Sequence, residues 1–244
     1  MATPNCAWIR NSNVEARTVA KKKRVIVGGG CGGIRAALEL AKRVGSEVDI
    51  TLIAAKPHFE YNPALYRYVT GNSSIEVCIP LDLIFKGKSV TLIRDYVTSV
   101  DKEGKKVVCE SGKVYAYDKL ILALGSETTY LGIPGLKDHS FGMKTVSEAL
   151  KLKEQIIATL YLVKEHNETS DKIRDANFVV IGGGATGVEM AGRLIEYARG
   201  LAKEMQLDPT LVSVSLIEGA PKILFRLSKD FTDPIEEHLR RLGV

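Results

Sequence analysis

Apolar positions along this chain fall into an arrangement that occurs twice. Residues 25–27 are a short apolar run entering Gly28, Gly29 and Gly30, and Ile34, Ala37, Leu38 and Ala41 then recur at helical spacing. Residues 48–53, "VDITLI", alternate apolar and polar side chains as a strand does. A buried parallel strand, a tight turn, a helix and a second strand make one βαβ unit. The same order returns later. Residues 178–181 are apolar, Gly182, Gly183 and Gly184 follow, a helical pattern runs from 188 to about 205, and residues 211–217 alternate. Gly28, Gly30 and Gly33 map onto Gly182, Gly184 and Gly187, each 154 positions on. Repetition at that scale predicts two domains of one type rather than a solenoid.

Between the two units the pattern changes. Residues 56–88 contain "KPHFEYNPALYRYVTG", rich in aromatics and proline, which reads either as a loop or short helix over a ligand or as a plain connection. Residues 90–124 are β-rich, with turn signals at Glu103-Gly104 and Ser111-Gly112. They predict an antiparallel meander leading into another buried strand at 120–124. "GSETTYLGIPGL" follows and marks the crossing between domains. "SEALKLKEQIIATLYLVKEH" is a long amphipathic helix with Ala149, Leu152, Ile156, Leu160 and Val163 as its apolar stripe. The fold class expected is α/β, with two Rossmann-like domains over residues 24–144 and 145–244 behind a tail at 1–23.

The glycine spacing carries chemistry. In a dinucleotide-binding turn the first glycine permits the tight bend, the second admits the diphosphate to the backbone, and the third lets helix and strand pack closely. The helix start adds about half a positive charge. The first cradle is assigned to Gly28, Gly29, Gly30, Cys31, Gly32 and Gly33, and the second to Gly182, Gly184, Ala185, Thr186 and Gly187. A carboxylate ending the second strand accepts the ribose hydroxyls and repels a 2′-phosphate. Glu218 occupies that place in the second copy and favours NADH over NADPH, with Lys222 and Arg226 nearby pulling the other way. In the first copy the place falls on Ala54. Either backbone groups and Lys56 substitute there, or that cradle holds its nucleotide more weakly.

Composition narrows the remaining classes. The chain has 244 residues, 45% hydrophobic and 26% charged, enough for a normal core. The net charge of +5 is modest, and the run at 21–24 reads as a solvated tail rather than a nucleic-acid surface. No stretch approaches the roughly 20 apolar residues of a membrane span. Residues 1–20 lack a secretion signal's apolar block; an organelle transit segment stays open. Cys6, Cys31, Cys78 and Cys109 form no C-x-x-C pair and no metal spacing, so the expectation is reduced thiols and no metal site.

Two such turns with a β-meander after the first resemble the two-dinucleotide-binding-domain flavoproteins. "YDKLILALGSETTYLGIPG" is similar to their flavin-side Ala-Thr-Gly motif, here Ala123-Leu124-Gly125 with the threonine replaced. "NPALYRYVTG" resembles "QPLLYQVATG", and "FVVIGGGATGVEMAG" resembles "FVVVGGGPTGVELAG", of type II NADH dehydrogenases, the single-subunit NADH:quinone oxidoreductases. "LIEGAPKILFRLS" is similar to their segment after the second strand. The resemblance spans residues 24–244. It implies FAD in the first domain near Ala123 and Gly125, NADH in the second, and hydride transfer to the flavin followed by electron transfer to a quinone or other small acceptor. It implies that Glu189 positions nicotinamide and flavin; the bland alternative is a helix-start carboxylate favoured by the dipole.

The implied partners include no nucleic acid. The implied location is cytoplasmic, or peripheral at the inner membrane face, or mitochondrial in a eukaryote, and the resemblance is compatible with a homodimer. Two further departures stand out. The redox cysteine pair of the disulfide reductases is missing from the first helix. Family members also return to the FAD domain and add a membrane-binding portion, whereas this chain stops at "RRLGV", so the fold is expected to be incomplete at its C-terminus. Two competing readings are a sulfide:quinone oxidoreductase, which needs cysteines on both sides of the flavin, and a nucleotide-binding module without turnover.

Overall fold

The computed structural model describes residues 21–170 and 173–244; the first 20 residues, with Cys6 and the transit-segment expectation, lie outside them. In chain order the first half forms β1 (Lys22–Val27), α1 (Cys31–Val44), β2 (Val48–Ala54), β3 (His58–Glu60), α2 (Leu65–Val69), β4 (Cys78–Pro80), α3 (Leu81–Ile84), β5 (Thr91–Arg94), β6 (Val97–Asp101), β7 (Lys106–Cys109), β8 (Val114–Ala116) and β9 (Lys119–Leu122). The second half forms α4 (Val146–Thr169), β10 (Ala176–Ile181), α5 (Ala185–Glu204), β11 (Val212–Ile217) and α6 (Lys229–Leu242).

Strands β5, β2, β1 and β9 make one parallel sheet in that order. Successive side chains of a strand face opposite ways, and each face of β1 and β2 has its own partner. Ile26, Ile50 and Leu52 pack with Ile34 and Ala37 of α1 and with Leu81 and Phe85. Val25, Val27 and Ile53 pack with Val107 and Cys109 of the antiparallel β6–β7–β8 meander. Burial on both faces is why the central strands read as apolar runs.

Three expectations need correction here. Residues 91–94, expected in the antiparallel meander, form β5 and pair in parallel with β2. Strand β1 starts at Lys22, and Lys22 and Lys23 pair with Val48 and Asp49, so they belong to the exposed end of a strand and not to a tail. Strand β9 is not buried. It pairs with β1 alone, and Leu122 and Leu124 are 52% and 71% exposed, because nothing among the described residues covers that edge.

Helix α4 begins with a capping box, in which Thr145 and Glu148 satisfy each other's backbone N–H groups. Its stripe of Ala149, Ile156, Leu160 and Val163 is buried, with Leu152 half-buried. Strands β10 and β11 pair in parallel, and α5 lies against one face of them. The other face, carrying Val179, Ile181 and Ile217, is open.

One packing feature was not legible in the chain order. Leu65 and Val69 of α2, with Val77, share a single core with Ile156, Leu160 and Ile195. The aromatic stretch of the first half therefore packs onto the second unit, with Lys153 Nζ 5.2 Å above the Tyr68 ring. Each such large apolar side chain contributes about 1.5–3 kcal/mol by leaving water.

Candidate dinucleotide sites

The two turns share the bonds that frame them. Gly28 N–H donates to the Ile53 carbonyl at 2.9 Å, and Gly182 N–H to the Ile217 carbonyl at 2.8 Å. Both residues bend into the region that favours glycine, at φ +113° and +107°. Gly30 and Gly184 are the N-caps, and the first helical bonds, Ile34 to Gly30 and Val188 to Gly184, are each 3.0 Å. A Cβ on Gly33 would overlap the Gly28 carbonyl oxygen, and one on Gly187 would overlap that of Gly182. The third glycine therefore sets the closeness of helix and strand.

The helix starts have what a diphosphate needs. Neither α1 nor α5 has a side-chain cap or an acidic residue in its first turn, in contrast to α4. Their leading N–H groups lack intrahelical acceptors and their dipoles point outward. Cys31 is the first residue of α1 and is exposed, and Gly32 follows it in the same turn. Ala185 and Thr186 hold the matching places on α5, also exposed. Ala123 closes the first cradle: its N–H donates to the Val27 carbonyl at 2.8 Å, and its carbonyl lies where a Gly28 side chain would begin. Gly125, two residues on, takes φ +81° and has open space around it.

Beside the second turn the carboxylate is in place. Glu218 Oε2 accepts the Gly183 N–H at 2.5 Å, and Oε1 accepts the Ala220 N–H at 2.8 Å. The Ala220 amide first, then those of Gly183 and Gly219, hold this carboxyl below its ordinary range. Gly183 was absent from the residues expected at this cradle, although it is the counterpart of Gly29 at the 154-residue offset. The two cations that argued for NADPH are engaged elsewhere: Lys222 Nζ donates to the Leu227 carbonyl at 2.7 Å, and the Arg226 guanidinium lies over the Phe225 ring. A cleft of about 290 Å³ opens at Glu218, walled by Pro221, Lys222 and, on α6, Glu236 and Arg240.

Beside the first turn, Lys56 does not reach toward the cradle's empty carboxylate place. Its Nζ is 2.8 Å from both oxygens of Glu60, which also contacts His58 Nε2 at 3.1 Å. The four-residue spacing of Lys56 and Glu60 would have signalled a pair only in a helix, and here it lies around β3.

Helix α5 begins at Ala185, three residues before the expected start, because Gly187 is already helical. Glu189 therefore falls beyond the first turn, where the dipole is weak, and it is exposed. Its charge acts on α2: after the Tyr66 hydroxyl and Glu76, Glu189 is among the groups that keep Arg67 more firmly protonated than usual. Nothing in the sequence pattern pointed to Arg67. Two of the thiols are pushed toward the neutral form. Burial first, then Glu60, pushes Cys78 up, and burial and Asp95 do the same to Cys109 in the meander. Cys109 is buried and Cys78 is half-buried. Among the described residues no helix is long and apolar enough to cross a membrane.

Known proteins share this architecture. The chain is 32% identical over 236 residues to the type II NADH:quinone oxidoreductase Ndh of Mycobacterium tuberculosis, covering 94% of this chain and 50% of that protein. It is 32% identical over 226 residues to the type II NADH:quinone oxidoreductase of Staphylococcus haemolyticus, covering 92% and 56%. The structure of NDH2 from Plasmodium falciparum in complex with NADH matches with a TM-score of 0.80 at 23% identity, over 92% of this chain and 47% of that one. The sulfide:quinone oxidoreductase of Aquifex aeolicus matches with a TM-score of 0.71 at 22% identity, over 91% and 50%. The chain thus spans about half the length of the curated relatives it matches. Residues 22–244 match the family model directly, and with two glycine cradles on parallel sheets the chain belongs to the pyridine nucleotide-disulphide oxidoreductase family.

Proposed function

We propose that this chain is the nucleotide-binding part of an NADH:quinone oxidoreductase, with FAD at the first cradle and NADH at the second. The observation that carries this is the pair of uncapped helix starts, each behind a glycine turn, with a carboxylate at the second alone. The relatives named for NADH:quinone oxidoreduction support the choice of donor and acceptor.

In this reading the amides of Gly30 to Gly33 and of Gly184 to Gly187 hold the two diphosphates, and Ala123 and Gly125 line the flavin side of the first. Glu218 accepts the ribose hydroxyls of NADH with its remaining lone pairs and, ionised, repels a 2′-phosphate. Glu189 orients the nicotinamide end. FAD, when bound, supplies two-electron acceptance from NADH and delivery to a quinone. The protein supplies distance, orientation and exclusion of water. The proposed domains are 24–144 and 145–244, and the proposed acceptor contact is at a membrane surface, with a second copy as the candidate partner.

The test is spectroscopic. Purified protein supplied with FAD should be yellow and should bleach when NADH is added without oxygen, and Glu189→Gln should slow bleaching more than it weakens NADH binding. Protein that binds NADH but takes up no flavin would be a binding module, and the oxidoreductase reading would fall.

A further inference from the structure

The two cradles differ at one position, and that difference has a functional consequence. A Cβ on Gly183 would lie 2.9 Å from Glu218 Cβ; a Cβ on Gly29 would lie 2.9 Å from Ala54 Cβ. Ala54 and Glu218 therefore stand at the same point of the fold, each at the end of the strand beside its turn. Beyond that shared Cβ the second cradle has an ionised carboxylate that takes the Gly183 N–H. The first cradle has none. The Gly29 N–H has no acceptor among the described residues, and the nearest other group to its missing Cβ is Leu81 Cδ1, at 3.4 Å.

Lys56 is the polar side chain that could stand in, two residues past Ala54. Its ammonium is held instead by both oxygens of Glu60, whose side chain is only 12% exposed. Turning Lys56 toward a ribose would strip that half-buried carboxylate of its main counter-charge, leaving His58 alone beside it. The local charge is thus already balanced, and among the described residues no carboxylate stands at the point that Glu218 takes in the second cradle.

We propose that Ala54 makes the flavin of this protein exchangeable: the first cradle holds FAD without the carboxylate that stands beside the ribose position in the second. The proposal rests on the reading that the first cradle takes FAD. Its physical content is that restoring the carboxylate tightens binding, since hydroxyl bonds to an ionised acceptor are the strong kind.

The experiment measures FAD dissociation constants for the full chain by flavin fluorescence and equilibrium dialysis, with melting curves as the folding control. Wild-type protein should lose FAD on extended dialysis. Ala54→Glu should bind FAD at least about tenfold more tightly, equal to 1.4 kcal/mol. Ala54→Gln, equal in size without the charge, should recover less than a third of that gain, and Lys56→Ala should stay within twofold of wild type. A folded Ala54→Glu protein with unchanged or weaker affinity overturns the proposal, as does a tenfold loss in Lys56→Ala, which would make Lys56 the ribose ligand. If Ala54→Glu does not fold, Lys56→Ala and the wild-type release decide: retention of FAD through dialysis refutes exchangeability. If wild type and all variants bind no FAD, the oxidoreductase reading fails and takes this inference with it. Tight wild-type binding with no gain in Ala54→Glu removes only the inference.

Discussion

Replacing Gly187 by alanine tests how the second cradle is built. The added methyl would lie more than 1 Å inside the 3.0 Å closest approach that Cβ atoms make, and the atom it meets is the backbone carbonyl oxygen of Gly182. Backbone cannot swing aside as a flexible side chain does, so α5 and β10 must separate by roughly 1 Å, at an overpacking cost of about 1–3 kcal/mol. Alanine returns about 0.8–1 kcal/mol of helix propensity, since Gly187 lies within α5. The net loss of stability is then about 0–2 kcal/mol, a fall in Tm of less than about 8 °C for a chain of this size. The effect on ligand is larger, because the displaced amides are those that face the diphosphate. Losing one hydrogen bond to a charged group costs about 1.5–3 kcal/mol, or about 10- to 150-fold in Kd. Calorimetric titration with NADH, alongside thermal melts, measures both quantities. FAD uptake should stay within twofold, and Gly33→Ala should show the reverse selectivity. If Gly187→Ala binds NADH within threefold of wild type and melts at the same temperature, the close approach of helix and strand does not set this cradle.

Three further outcomes are expected. Glu218→Gln should weaken NADH binding and narrow the preference over NADPH; because the Glu218 carboxyl titrates below its ordinary range, wild-type NADH affinity should persist as pH falls past about 4.3 and be lost only at the lower folded pKa. Leu65→Ala should destabilise the chain by about 2–5 kcal/mol in urea unfolding, and a single shared transition would show that α2 and α4 unfold together. Asp95 accepts the Ser111 hydroxyl and the N–H groups of Tyr96 and Ser111, with the hydroxyl as the main cause of its lowered pKa. Its contribution is full above the unfolded value near 3.9 and lost as pH falls through the folded one, so Asp95→Asn should melt lower at neutral pH and converge with wild type in acid.

The missing ribose carboxylate shows where sequence reasoning stopped. The 154-residue offset aligned Gly29 with Gly183, and the ends of the two second strands placed Ala54 against Glu218. Whether Lys56 compensates was undecidable in one dimension, because its partner Glu60 is brought to it by the course of the chain around β3. The charge of Glu189 on α5 acts on Arg67 of α2, more than 100 residues away, and no periodicity encodes that.

By itself, the sequence determined the local elements and the chemistry that depends only on neighbours along the chain. Short apolar runs buried on both faces, glycines whose spacing meets a helix start, and a Thr145–Glu148 cap all act within one or two turns of backbone. Tertiary structure decided what depends on elements meeting from a distance. It placed α2 in the core of the second unit, left β9 an exposed edge, turned Lys56 onto Glu60, and set Glu218 against the Gly183 amide. These contacts follow from which faces the packed layers cover, and packing joins positions that no repeat in the chain relates.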